Sequence, residues 1–425
     1  MLYFERGSKT DIITAEDTRA ILKQVFDAMG SKKRVLALPP DFTRFNSYAG
    51  PITEMVNDYF GDALTDIMPA LGTHSPMSDE QLSVMFPSVP KDKFRVHDWR
   101  NDIVTVGTVP GSYVKEVSEG RLDYEMNAQV NKLLLDPSFD LILSIGQVVP
   151  HEVIGMANYT KNIFVGVGGS DFINKSHFIG ASYGMERIMG RAKSPVRDVF
   201  EYAKVNFLKD VPIVFVLTVR AKDEQTGEMV TRGLYIGDDF ECFQKAADLS
   251  LETNFIMVER EIKKCIVYLD PEEFKSTWLG NKSVYRTRMA LADDAELIVL
   301  APGLKEFGED KTIDGLIRKY GYKGTPHTLE CTNANVDLQE NLGASAHLIH
   351  GSSEGRFKII YCPGDGMSRE EIEGVGSDYC HYNDMVARYP LESLKDGWNT
   401  IGGEEIYYIS NPALGLWAYP DRFKD

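Results

Sequence analysis

DLILSIGQVVPHEVIGMANYTKNIFVGVGGSDFINKSH, residues 140–177, is the stretch on which the fold class turns. Leu141, Ile142, Leu143 and Ile145 form a short apolar run that stops at Gly146, the pattern of a strand buried on both faces of a parallel sheet. Polar and cyclic residues follow at once: Gln147, Pro150, His151 and Glu152. Then come Lys161, a second apolar run at 163–167 that reads as another core strand, the pair Gly168-Gly169, and His177. Two histidines and a lysine thus fall just past the ends of core strands. In an open α/β sheet that edge is where ligands bind.

The flanking chain repeats the alternation. An amphipathic helix is expected at 15–29, ending at Gly30, and a strand at 35–38. A helix is expected near 53–59 and an apolar segment at 64–71. Ser78 then caps a helix. Residues 94–114 read as β-rich and 130–135 as helical. Helices near 195–208 and 240–252 flank a strand at 213–219. A second region begins near Lys264, with strands at 265–269, 297–301 and 357–361 and helices at 282–292, 312–319 and 337–348. The expected fold class is therefore α/β: two α/β domains with largely parallel sheets and the active site in the cleft between them. The expected divisions are 1–264, a cofactor-binding and catalytic domain; 265–398, a smaller α/β domain; and 399–425, a return to the first domain.

Composition narrows the function. The chain has 425 residues, too many for one ordinary core. A formal net charge of −17 repels nucleic acid and anionic membranes, so neither is an expected partner. No run of about 18 apolar residues is present, and the N-terminus lacks the pattern of a secretory signal. The five cysteines are odd in number and widely spaced, without a CxxC pair. They read as reduced thiols of a cytoplasmic protein.

Four loops carry the chemistry. The first offers Asp41 and Arg44, a carboxylate beside a planar cation suited to a carboxylate or phosphate; the plain alternative is a solvated ion pair. The second offers His74 between Gly72 and Pro76, a general acid/base candidate or a capping histidine. The third offers His151 and Lys161. The fourth offers Gly166, Gly168, Gly169 and His177, where glycines permit backbone approach to a phosphate. GVGG is neither a dinucleotide fingerprint nor a Walker loop, and no HExxH spacing is present.

Together these motifs resemble the nickel-dependent lactate racemase family. PHE-x(8)-K-x(15)-H, with His151, Lys161 and His177, matches the family's spacing. Asp41-Phe42-Thr43-Arg44 resembles its DHTR, and Gly72 to Met77 (GTHSPM) resembles its GTHRPM. Trp278-Leu279-Gly280-Asn281-Lys282 is loosely similar to its YQxxK. The resemblance implies a nickel-pincer nucleotide, a pyridinium mononucleotide that clamps nickel through two sulfurs and a ring carbon. It would be attached covalently to Lys161 and supplied by cofactor-maturation enzymes. His177 would be the protein ligand to nickel, and His74 and His151 the acid/base pair. Arg44 and Lys282 would bind substrate, with Asp41 and Trp278 beside them. Gly166, Gly168 and Gly169 are assigned to the nucleotide phosphate on backbone chemistry alone.

The departures point away from lactate. Phe42 replaces a histidine, Ser75 an arginine and Leu279 a glutamine. Cofactor anchors are kept while substrate-side positions change. The expected activity is racemisation or epimerisation of another 2-hydroxy acid, with a sugar acid such as gluconate preferred. The alternatives are a hydrolase or dehydratase whose histidines bind a divalent ion directly, and a non-catalytic two-domain binding protein.

Overall fold

The strand read first, Leu141–Gln147, is buried from Leu141 to Gly146, because it is paired in parallel on both sides. The computed structural model describes residues 1–223 and 225–424. It divides into two compact units, Met1–Gly180 with Ile188–Asn254, and Ala181–Arg187 with Phe255–Asp425. Asp425, the end of the expected 399–425 segment, lies outside the described residues.

The first unit is built on a six-stranded sheet. In chain order its strands are β1 (Leu2–Gly7), β2 (Val35–Leu38), β3 (Leu64–Ile67), β4 (Leu141–Gln147), β5 (Ile213–Lys222) and β6 (Met229–Gly237). Their spatial order is β1-β6-β5-β4-β2-β3. β3, β2, β4 and β5 are parallel, and β6 and β1 follow in antiparallel pairings. Helix α1 (Ala15–Met29) starts at a capping box between Thr14 and Asp17 and buries Ile21, Leu22, Val25 and Phe26, one apolar stripe of period 3.6. Helices α2 (Ala49–Phe60), α3 (Ser170–Tyr183), α4 (Pro195–Phe207) and α5 (Phe240–Asn254) complete the main connections. From β2 the chain moves to β3 on one side, whereas from β4 it moves to β5 on the other. The boundary between β2 and β4 is therefore a topological switch point, with a crevice outside the carboxyl ends of the strands.

The second unit has its own six-stranded sheet. Ile262–Tyr268, Leu291–Ala301, Lys358–Pro363 and Asp378–Tyr379 run parallel, with Glu404–Ile409 parallel on the other side of Ile262–Tyr268 and Gly397–Ile401 antiparallel at the edge. The two α/β domains with largely parallel sheets are thus present. Several expectations need correction. The boundary moves from 264 to 254/255, because Ile262–Tyr268 is one continuous strand. The tail does not return to the first domain, since Glu404–Ile409 pairs inside the second sheet. Residues 163–167 are not a strand: Asn162–Gly166 is a π-helical turn, and a short buried apolar run has no period that separates the two. Met126–Asn131, read as partly helical, is a strand paired with Ile103–Val109.

The segment Ala181–Arg187 is held in the second unit by a buried ion cluster. Glu186 accepts from Arg288 Nε (2.9 Å) and Arg356 Nη1 (2.7 Å), and the Arg288 side chain is only 3% exposed. Burial opposes the Glu186 charge, but the two guanidinium groups hold its carboxyl below the usual range. Its stabilisation is complete above the unfolded carboxyl pKa and is lost as pH falls through the lower folded value. Glu186→Ala, which leaves Arg288 buried without its carboxylate, is expected to cost about 3 kcal/mol in denaturant unfolding. A change below about 0.5 kcal/mol would show that solvent screens the pair.

Candidate active site

Three loops that leave the carboxyl ends of β2, β3 and β4, together with helix α3, place the candidate residues around one cavity of about 280 Å³. Asp41, Arg44, His74, His151, Lys161, Gly166 and His177 all line it.

The loop after β2 begins with Pro39-Pro40, which lack an N–H to donate, although the Pro39 carbonyl still accepts from the Ala70 N–H at 2.7 Å. Asp41 then caps the 3-10 turn Phe42–Ser47 through the Thr43 N–H. Its other carboxylate oxygen accepts from His74 Nδ1 at 2.6 Å. The Asp41 side chain is 8% exposed and that of His74 is 56% exposed. Burial works against the Asp41 charge, yet hydrogen bonds from His74 and Thr43 hold its carboxyl below the ordinary value. An ionised Asp41 can only accept, so the proton of a neutral His74 ring stands on Nδ1 and its lone pair on Nε2. Gly72, at φ 58°, lets the loop after β3 turn so that its N–H donates to the Gly166 carbonyl at 2.8 Å.

The loop after β4 forms a small hairpin, Pro150–His151 against Gly155–Met156. There the Val153 N–H donates to His151 Nδ1 at 3.1 Å. The neutral His151 ring therefore carries its proton on Nε2, the opposite tautomer to His74. Lys161 stands immediately before the π-helical turn, a feature often found at functional sites. Burial, and then the nearby Arg44 guanidinium, push its amine down to about 8. His177 sits on α3 with Nδ1–H donating to the Ile173 carbonyl at 2.7 Å. Burial and the Lys161 charge lower it to about 4, so the ring is neutral at pH 7 with Nε2 as its lone-pair nitrogen. That is the tautomer of a metal ligand with an oriented outer hydrogen bond. The rings of His151 and His177 meet nearly edge to face, 6.5 Å between centroids.

Gly168, Gly169, Trp278 and Lys282 do not line this cavity. Gly168 and Gly169 are packing glycines: a Cβ on Gly168 would lie 1.9 Å from the Phe164 carbonyl oxygen, and one on Gly169 2.4 Å from Gln129 Oε1. The Gly168 carbonyl accepts from buried His97, whose burial keeps it neutral. Trp278 and Lys282 belong to the second unit. There the Trp278 ring lies 4.4 Å from buried His347, and the Lys282 ammonium 5.5 Å from the Phe274 ring centre. Gln147, Asn158 and Asn162 also line the cavity and were not singled out from the sequence. Asn162 Nδ2 bridges the Leu38 carbonyl and Ser144 Oγ, and so ties the π turn to β2 and β4. A position one residue past a marked lysine was the available signal.

A larger cavity, about 760 Å³, opens at the amino ends of β4 and β5 beside Leu141 and Ile213. It has no histidine and none of the strand-end loops, so size alone does not identify the site. Among the described residues no three His, Cys, Asp or Glu side chains converge tightly enough to hold an ion. Among the same residues no helix is long and apolar enough to cross a membrane.

Residues 18–186 match the family model described as the lactate racemase N-terminal domain. A crystal structure of a protein from Thermotoga maritima is 21% identical, with a TM-score of 0.74 over 97% of this chain and 99% of that one. The lactate racemase apoprotein from Thermoanaerobacterium thermosaccharolyticum is 15% identical, with a TM-score of 0.67 over 96% of this chain and 93% of that one. At those identities the two structures speak for the fold. A search of curated protein sequences finds no match. The matched stretch spans β2, β3, β4 and the loops that carry His74, His151, Lys161 and His177, so this N-terminal part of the chain is similar to the lactate racemase N-terminal domain.

Proposed function

We propose that the protein is an isomerase that racemises or epimerises a 2-hydroxy acid, using a nickel-pincer nucleotide attached to Lys161. The observation that carries the reading is the convergence of Lys161, His177, His74 and His151 on one cavity, where burial lowers the Lys161 amine and keeps the His177 ring neutral.

The residues fit the cofactor. At a pKa of about 8, roughly a tenth of Lys161 is free amine at pH 7, the form that bonds to an acyl-type carbon. His177 presents a neutral nitrogen, and imidazole suits nickel. When bound, the cofactor supplies a site that accepts and returns a hydride at C2. The protein does the rest. Arg44 holds the substrate carboxylate as a permanent cation. His74 Nε2 takes the proton of the C2 hydroxyl, and Asp41 stabilises the imidazolium that forms. His151 Nε2 holds a proton ready for return to the oxygen. Two histidines in opposite tautomers allow the reaction to run both ways. The polar amides of Gln147 and Asn158 in the cavity wall favour a substrate with further hydroxyls, so a sugar acid such as gluconate is the preferred class.

The test is the intact mass and nickel content of the chain purified from its own host, followed by a screen of 2-hydroxy acids, aldonates included, for C2 inversion. A covalent adduct with stoichiometric nickel and inversion of one acid is expected. An unmodified chain carrying another metal would end this reading. Asp41→Asn is expected to lower kcat by on the order of 10²-fold, because an amide that donates to Nδ1 moves the proton of His74 to Nε2. An unchanged kcat would separate Asp41 from the proton transfer.

A further inference from the structure

Lys161 is preceded by an unusual piece of backbone. Asn158 and Tyr159 stand one after the other in the left-handed region, at φ 67° and 57°, although neither is glycine. Such residues persist only where the surroundings over-determine them. Here the surroundings are one face of helix α4. Arg197 is fully buried, and its Nη2 donates to the Met156 carbonyl (2.7 Å). Its Nη1 donates to the Asn158 carbonyl (3.2 Å) and to Thr160 Oγ1 (2.7 Å). One turn on, Glu201 accepts from Thr160 Oγ1 at 2.9 Å and from the Tyr159 hydroxyl at 3.2 Å. A further turn on, Lys204 donates to the same hydroxyl at 3.1 Å. The guanidinium lies 4.2 Å from the Phe243 ring centre, and Phe243 stacks on Tyr159. Arg197 Nε has no hydrogen-bond partner.

A buried cation with an unsatisfied donor is a costly way to hold an ordinary loop. Its two end nitrogens are spent wholly on the residues leading into Lys161. On the far side of Lys161, Asn162 is fixed to β2 and β4. We infer that Arg197 is a positioning residue for Lys161: with Glu201 it locks residues 156–160 so that the amine points into the cavity in the attitude needed for covalent attachment. The inference rests on the proposed role of Lys161 and adds the device that aims it.

The experiment uses the full chain made without cofactor. Acetic anhydride is added at fixed pH, and acetylation of Lys161 is measured by peptide mass spectrometry relative to exposed Lys209. Arg197→Lys and Thr160→Val are each expected to lower that ratio more than about fivefold, and Thr160→Ser, which keeps the hydroxyl, to restore it. A general loss of stability would shift the melting midpoint without this ratio. Should Arg197→Lys not fold, Thr160→Val carries the test with Arg197 in place. A ratio unchanged or raised in a folded variant overturns the inference. Absence of an adduct in the wild-type chain from its own host would overturn the cofactor reading and leave the labelling ratio to decide the role of Arg197.

Discussion

Lys161→Ala is expected to yield a chain with the bare mass of its sequence, and the wild-type chain from the same host is expected to carry the proposed cofactor as an added mass. Nickel should fall with the adduct, because His177 alone is a single ligand and no cluster among the described residues completes the shell. Turnover should drop to background. The reason lies in the amine. An ordinary lysine near 10.5 is free amine in roughly one molecule in three thousand at pH 7, whereas Lys161, lowered to about 8, reaches about one in ten. Lys161→Arg, which keeps a charge but offers no amine, should behave as alanine does. An adduct that survives Lys161→Ala would place the attachment elsewhere and withdraw the role given to this residue.

His74→Ala is expected to lower kcat by about 10²- to 10⁴-fold in both directions, with the adduct mass unchanged. The ring makes its named hydrogen bond to Asp41 and is more than half exposed, so its loss should cost little stability. The separation of kcat from cofactor loading distinguishes a proton-transfer residue from an anchor. His177→Ala should show the converse, with nickel lost first. Activity of His74→Ala within about tenfold of wild type would remove it from the acid/base pair.

Part of the candidate site was legible because Asp41, His74 and His151 each follow a core strand within a few residues. Val35–Leu38 and Leu141–Gln147 are apolar enough to be read from composition, Leu64–Ile67 opens the apolar segment expected at 64–71, and each is the strand that precedes one of the three. What stayed hidden depends on contacts distant in sequence. Asn162–Gly166 holds three apolar residues in a row, and nothing local says that they form a π turn rather than a strand. Arg197, Glu201 and Lys204 recur at helical spacing as a charged stripe, which reads as a solvated face. Only the fold brings the strained backbone of Asn158 and Tyr159 under that stripe. Met229–Gly237 pairs with Ile213–Lys222 and Leu2–Gly7, so the chain closes an edge with its own N-terminus, which no local pattern announces.

The discontinuous second unit has a consequence for how this protein can be recombined. Residues 181–187 are encoded inside the first unit's stretch but belong to the second, with Glu186 between Arg288 and Arg356. A gene cut at codon 254 therefore severs one unit while appearing to separate two. The downstream fragment would carry two arginines without their carboxylate, and the upstream fragment an orphaned glutamate. A working chimera must exchange both 181–187 and 255–424, or pair each incoming acid with the arginines it evolved beside.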